Sequence, residues 1–379
     1  MKKNIIAMLC LLAALPYMVA GKGIKPGKIW KDNRHEHINA HGGCVISHNG
    51  KYYWYGEHKA DTTSAAMVGV TCYSSANLVD WTYEGTALRV VDEKGNDIER
   101  GCILERPKVV YNASTRQFVM WFHLELKGQG YAAARYGVAV SETPVGPFRF
   151  LRSGRVNPGV WPLDMSDAAR AVADTLDMKN YEEWWTPSWR EAIVKGLFAK
   201  RDMVAHDGQP AGQMARDMTI FVDADGRAYH IYSSEDNLTI HIAELDSSYT
   251  GHTGRYVRMA PGGMNEAPTI FCRNGKYWMI TSGCTGWEPN EARMFSADDI
   301  FGPWVQHPNP CVGPKAGKTF GGQGTYVLPV GDNYIFMADI WRPDRPSDAR
   351  YIWLPIDFDK GVPVVRWRDE WSPEQFGVK

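Results

Sequence analysis

Asn49-Gly50-Lys51-Tyr52-Tyr53-Trp54-Tyr55 is the stretch that decides how the rest of the chain is read. Asn-Gly populates the positive φ angles that a two-residue hairpin turn requires, and the aromatic run after it suits a strand. The pattern returns at Asn274-Gly275-Lys276-Tyr277-Trp278-Met279-Ile280. Looser versions open at Thr115-Arg116-Gln117-Phe118, at Asp225-Gly226-Arg227-Ala228-Tyr229 and at Asp332-Asn333-Tyr334-Ile335. Several are followed by a second strand of small and apolar residues, such as Gly137-Val138-Ala139-Val140-Ser141 or Ile240-His241-Ile242-Ala243. Five loose repeats of one strand-turn-strand unit predict an all-β, five-bladed β-propeller, because radial closure removes exposed sheet edges. A β-sandwich with irregular decoration is the competing reading.

Residues of roughly 154–213 fall between the second and third units and do not follow the repeat. Ser166 and Asp167 are placed to cap a helix over 168–173, and a second helical pattern covers 188–200 with Pro187 near its start. This stretch reads as a helical insertion on the propeller. Its Trp184, Trp185 and Trp189 either pack against the blades or reach the rim of a site.

Lys2 and Lys3, an apolar run over 5–15 and the small residues Val19-Ala20-Gly21 together read as a cleaved signal peptide over residues 1–20. The run is too short to span a bilayer, and Cys10 within it lacks a lipobox. Residues 21–379 are then expected to be a single propeller domain, secreted or periplasmic, with no membrane span and monomeric. The net charge of −1 is mixed along the chain, with no basic stripe for nucleic acid. Six cysteines beyond the leader are scattered without CxxC or paired Cys/His spacing, so neither a zinc site nor a disulfide framework is indicated. The 15 Trp and 18 Tyr suit stacking on sugar rings, although filling a β-rich core accounts for most of them.

Three acidic segments stand at matching positions of successive units: Glu105-Arg106-Pro107-Lys108-Val109, Arg216-Asp217-Met218-Thr219 and Asn265-Glu266-Ala267-Pro268-Thr269. The innermost strand of a propeller blade starts near the central funnel, so equivalent positions on neighbouring blades converge. Carboxylates that meet there shift one another's pKa values, which is how one of them stays protonated as an acid.

These segments resemble glycoside hydrolase family 43, over about residues 29–367 apart from the insertion. The resemblance implies that Glu266, in Glu-Ala-Pro, is the general acid and that Asp217 orients it and modulates its pKa. Most of the family carries an Asp general base at the head of the first inner strand. Here that stretch is Asn39-Ala40-His41-Gly42-Gly43-Cys44, without a carboxylate. This opening, with Tyr55-Gly56-Glu57, Gly286-Trp287 and Gly322-Gln323-Gly324-Thr325-Tyr326, is similar to the branch containing exo-β-1,3-galactanases. In that branch a Gln in the last blade is thought to replace the base through its imidic acid form, and Gln323 matches it. Glu57, Glu105, Tyr131 and Thr285 match residues that contact the terminal galactose.

The expected activity is release of galactose from β-1,3-galactan or arabinogalactan backbones with inversion. Inversion needs about 6.5–9.5 Å between the catalytic groups to admit a water. Gln323 is the first choice to position that water, Glu105 competes as the base, and His41 is a more distant option. Trp287 and Trp341 are candidates for stacking on sugar rings. No cofactor is implied; calcium near the funnel is conceivable, but no ligand spacing demands a metal. An α-L-arabinofuranosidase or β-galactofuranosidase is the alternative within the family, and a non-catalytic glycan-binding propeller the alternative of another class.

Overall fold

A computed structural model describes residues 23–378 apart from 182, 184 and 185. The expected signal peptide, Trp184 and Trp185 lie outside the described residues. Among those residues the strands form five sheets in chain order. The first blade holds β1 (His41–His48), β2 (Lys51–Glu57), β3 (Gly69–Ser75) and β4 (Thr82–Arg89). The second holds β5 (Ile103–Asn112), β6 (Gln117–Glu125), β7 (Arg135–Ser141) and β8 (Arg149–Gly154). Three short helices follow: α1 (Asp167–Asp174), α2 (Pro187–Val194) and α3 (Leu197–Arg201). The third blade holds β9 (Met218–Val222), β10 (Ala228–Ser234), β11 (Thr239–Leu245) and β12 (His252–Met259). The fourth is β13 (Asn265–Arg273), β14 (Lys276–Gly283), β15 (Arg293–Ala297) and β16 (Val305–His307). The fifth is β18 (Gln323–Val330), β19 (Asn333–Ile340), β20 (Arg350–Asp359) and β21 (Val362–Arg366), with β17 (Cys311–Val312) pairing parallel to β21.

The turn that defines the repeat joins the inner strand of a blade to its second strand. His48 pairs with Lys51 across Asn49 and Gly50, whose φ values are 49° and 75°. Arg273 pairs with Lys276 across Asn274 and Gly275, at 54° and 75°. Both φ values are positive, as a two-residue hairpin turn requires. The inner strands β1, β5, β9, β13 and β18 each pack on the next, and β18 returns to β1, closing the ring.

The apolar core is divided among the seams between blades. Along β6, Phe118, Met120 and Phe122 face the first blade, while Val119 and Trp121 face the third. Both faces of a middle strand are therefore buried, which is why these strands read as continuous apolar runs rather than as strict alternation. The first and last blades share no strand, and their seam is filled by Trp54, Tyr73, Trp81 and Trp353. Trp54 lies 4.8 Å from Trp353 and 5.3 Å from Trp81, ring centroid to centroid. Much of the aromatic content thus serves ring closure.

Helix α1 is capped by the Ser166 hydroxyl, which accepts from the Ala169 N–H at 3.2 Å. The helix expected over 188–200 is instead two helices, because Gly196 between them sits at φ 98°, outside the right-handed helical region. Trp189 is buried with Ile193, Leu197 and Phe198 in a small cluster of its own.

Each inner strand except β9 is bulged near its head. The register slips between His41 and Cys44, Glu105 and Lys108, Glu266 and Thr269, and Gly324 and Tyr326. Gly42, Arg106 and Ala267 take φ values of 62°, 55° and 50° there. A bulge re-aims the side chain beside it and frees a backbone N–H from the ladder. Pro107 and Pro268, which have no N–H to give, are accommodated for that reason.

Candidate active site

The heads of the inner strands surround a cavity of about 290 Å³ lined by Glu57, Glu105, Asp217, Glu266, Gln323 and Trp341, among others. The three carboxylates singled out in the sequence therefore share one hollow.

Arg106 is its hub. Its backbone N–H donates to Glu57 at 2.9 Å, and its guanidinium donates to Asp217 at 2.9 Å, to Gln323 Oε1 at 2.5 Å and to the Gly324 carbonyl at 2.9 Å. It thereby joins four blades, and the positive φ at the bulge is what lets one residue use backbone and side chain in different directions.

Glu266 accepts from the Asn237 amide at 2.9 Å on Oε1 and from Gln323 Nε2 at 3.4 Å on Oε2. Burial pushes its pKa up and the Asp217 charge adds to this; Arg106, Cys284 and Asn237 pull back, leaving it at about 7. Glu105 is the opposite case. Burial works to raise it, but His123, Lys59 and Tyr131 outweigh burial and hold it at about 2. The His123 ring lies 3.2 Å from Glu105 and 2.8 Å from Glu125. Burial works to lower the pKa of that ring, yet the two carboxylates hold it at about 9. Tyr131 donates to the other oxygen of Glu105 at 3.0 Å. Two carboxyls in one cavity thus have their proton affinities driven far apart, so that near neutral pH Glu105 is charged while Glu266 can hold a proton.

The sequence profile of glycosyl hydrolases family 43 matches residues 194–339. A family 43 β-1,3-galactosidase solved with galactodeoxynojirimycin is 58% identical over 92% of this chain and 100% of its own, with a TM-score of 0.89. The chain belongs to family 43. The exo-β-1,3-galactanase of Phanerochaete chrysosporium, solved with β-1,3-galactotriose, is 31% identical over 93% of this chain and 68% of that one, TM-score 0.72. That of Clostridium thermocellum is 32% identical over 92% and 66%, TM-score 0.73. No curated protein sequence matches the chain.

Within this family 43 propeller the head of the first blade is crowded at Gly42 and Gly43. A Cβ on Gly43 would lie 1.7 Å from the Tyr55 carbonyl oxygen, and one on Gly42 would lie 2.4 Å from a Glu57 oxygen. Asp339 of β19 accepts from the Gly42 N–H at 2.7 Å, and Lys108 donates to the Gly42 carbonyl at 2.8 Å. Burial pushes Asp339 up to about 7 and Lys108 down to about 7. The bulge is thus stitched shut on both sides. The negative charge on this side of the cavity comes from Glu57 on β2, which is 2.5 Å from Lys59.

The Gln323 amide is oriented by its neighbours. Arg106 and Trp341 both donate to Oε1, the latter at 2.9 Å, while Nε2 donates to Ser282 at 2.9 Å and to Glu266. Since Arg106 and the indole N–H only donate, the atom between them is the carbonyl oxygen.

Of the other residues expected at the site, Tyr131, Trp287 and Trp341 line the cavity. Trp287 is 47% exposed and meets Trp341 edge to face at 5.9 Å. Thr285 does not line it; its hydroxyl donates to the Glu288 carbonyl at 2.6 Å, shaping the turn that presents Gly286 and Trp287. His41 is fully buried and stacked on Tyr351 at 5.3 Å, away from the cavity lining. Burial holds its ring neutral, a structural placement rather than a basic one.

Glu105, His123 and Asp217 offer donor atoms that all lie within 4.8 Å of one another. Each already has a charged partner: His123 is shared between two carboxylates, and Arg106 occupies Asp217. This cluster has the character of an ion-pair network more than of a cation cradle. Arg106, Lys59, His123 and Asn237 are the site residues that sequence reasoning did not single out. Arg216 also lines the cavity, and it and Arg106 stood inside motifs that pointed to the site.

Proposed function

We propose that the chain is an exo-acting, inverting glycosidase that releases galactose from the ends of β-1,3-galactan and arabinogalactan backbones. The observation that carries this is Glu266, a largely buried carboxyl poised at about 7 in the cavity it shares with Asp217. The relatives named as β-1,3-galactosidase and exo-β-1,3-galactanases supply the substrate class. A hollow of about 290 Å³ lies at the small end of the range of ligand pockets and suits a terminal sugar rather than a stretch of chain.

In this reading Glu266 gives its proton to the glycosidic oxygen as the bond breaks, and Asp217 keeps that proton in place beforehand. Glu57, Glu105 and Tyr131 accept and donate hydrogen bonds to the galactose hydroxyls. Gln323 orients the attacking water, which sheds its proton to Gln323, to Glu105 or to bulk solvent as the new C–O bond forms. The Gln323 oxygen faces two donors, so a hydroxyl there, as the imidic form has, would set donor against donors; this favours orientation over proton uptake. Glu105, held at about 2, is a weak proton acceptor and suits sugar binding. Trp287 and Trp341 offer ring faces on which a sugar can stack. Residues 1–20 act as the export signal, residues 21–379 form one monomeric catalytic domain, and the stretch of about 154–213 is an insertion between the second and third blades.

Incubation with β-1,3-galactobiose and plant arabinogalactan, with the product followed by NMR, tests the proposal. Galactose appearing first as the α anomer supports it. A β first product refutes inversion, hydrolysis of aryl furanosides but not of galactan favours an arabinofuranosidase or galactofuranosidase, and calorimetric binding without release leaves a glycan-binding propeller. Gln323→Ala against Glu105→Gln separates the two candidates for the water's proton.

A further inference from the structure

Asn237 reaches Glu266 from an uncommon backbone. Glu235, Asp236 and Asn237 follow one another at φ values of 51°, 57° and 66°. L-residues enter this left-handed region singly, not in runs, and such strain persists only where the surroundings over-determine it.

The surroundings do so at every residue. Glu235 is fully buried and accepts from Arg258 at 2.6 and 2.8 Å, from Thr239 at 3.1 Å, and pairs with His241 at 2.9 Å. Asp236 accepts from Arg201, in the last turn of α3, at 2.7 Å. Leu238, next along the chain, is buried in the helices' own apolar cluster, and Met264, two residues before Glu266, packs on the same cluster. The Met264 N–H donates to the Leu238 carbonyl at 3.1 Å. Arg258 also donates to the Ile193 and Val194 carbonyls at the end of α2, at 2.6 and 3.1 Å. The helices therefore hold both the turn that carries Asn237 and the segment that leads into Glu266.

We propose that the helices between β8 and β9 are the scaffold of the proton donor, with Asp236 and Arg201 as positioning residues that fix Asn237 on Glu266. Asn237 donates to Oε1 at 2.9 Å, whereas Gln323 reaches Oε2 only at 3.4 Å, so Oε2 is the oxygen left to carry the acidic proton. The inference rests on the reading of Glu266 as general acid.

The test compares Asp236→Asn and Arg201→Gln with Glu266→Gln on two substrates. β-1,3-Galactobiose needs a proton on its leaving oxygen; dinitrophenyl β-galactoside does not. Asp236→Asn keeps a residue that tolerates left-handed φ and removes its ion pairs with Arg201 at 2.7 Å and Arg216 at 3.7 Å, while the Glu235 network and the apolar cluster that hold the turn stay in place. A small misalignment costs roughly 10–100-fold. Asp236→Asn and Arg201→Gln are therefore expected to lower kcat on the disaccharide about tenfold, with KM within about twofold and the aryl rate nearly unchanged. Arg201→Lys should recover most of the loss. In a Glu266→Gln background, Asp236→Asn should have no further effect on the disaccharide, a comparison that needs no aryl substrate. If Glu266→Gln shows dependence on the leaving group and the two positioning variants do not, or if they lose both activities in step with folded protein, the inference is overturned. If Glu266→Gln itself falls equally on both substrates, the acid assignment fails independently.

Discussion

The proton affinity of Glu266 yields the sharpest prediction. A glutamate at its ordinary value of 4.5 is only about 3% protonated at pH 6; at about 7, Glu266 is about 90% protonated there. The difference corresponds to about 3 kcal/mol of preference for the neutral form, set first by burial and then by Asp217. The basic limb of kcat/KM, measured as galactose release from β-1,3-galactobiose below KM across pH 4–9, is expected to have its midpoint near 7. Asp217→Asn removes the repelling charge and also frees Arg106, now 2.9 Å from Asp217, to act on Glu266. Both effects favour the charged acid, so the limb should move down by about one unit, with turnover lower by about 10–100-fold. A basic limb near 4.5 in the native protein, or a limb that stays or rises in Asp217→Asn, would refute the reasoning.

Glu105→Gln should raise KM about tenfold with a smaller change in kcat, because a carboxylate held at about 2 serves binding; collapse of kcat at unchanged KM in steady-state kinetics would make it the base. Gly43→Ala puts a methyl 1.7 Å from the Tyr55 oxygen, and a loss of about 2–4 kcal/mol should show as a lower melting temperature, with no loss disproving the close approach. Gly42→Asp, an attempt to restore the usual base, should gain no activity, since the position has φ 62° and faces Glu57 at 2.4 Å. His123 has a folded pKa of about 9 against an ordinary 6.5, so its contribution is complete below 6.5 and lost as pH rises through 9. Urea midpoints should decline over that window and the decline should flatten in His123→Asn; an equal slope in both proteins counts against the charged histidine.

The repeat was legible because it rests on local chemistry. Asn49-Gly50 and Asn274-Gly275 have the φ preferences of a tight turn whatever surrounds them, and the strands after them carry their own β preference. Glu105, Asp217 and Glu266 could be placed on one funnel because five similar units bring equivalent positions together. The split at Gly196 shows the limit of such reading, since a helical pattern alone does not reveal where one glycine will turn left-handed.

What the sequence determined by itself is the unit, the number of units and the positions that face the axis. The tertiary structure decided what those positions do. Arg106 touches Glu57, Asp217 and Gln323 across a separation of 217 residues at most, and Asn237 meets Glu266 from another blade. Glu105 and Glu266 have the same side chain and stand in similar Glu-x-Pro motifs, yet one is held at about 2 and the other at about 7. The charges that separate them belong to residues far away in the chain, and a proton responds to distance in space.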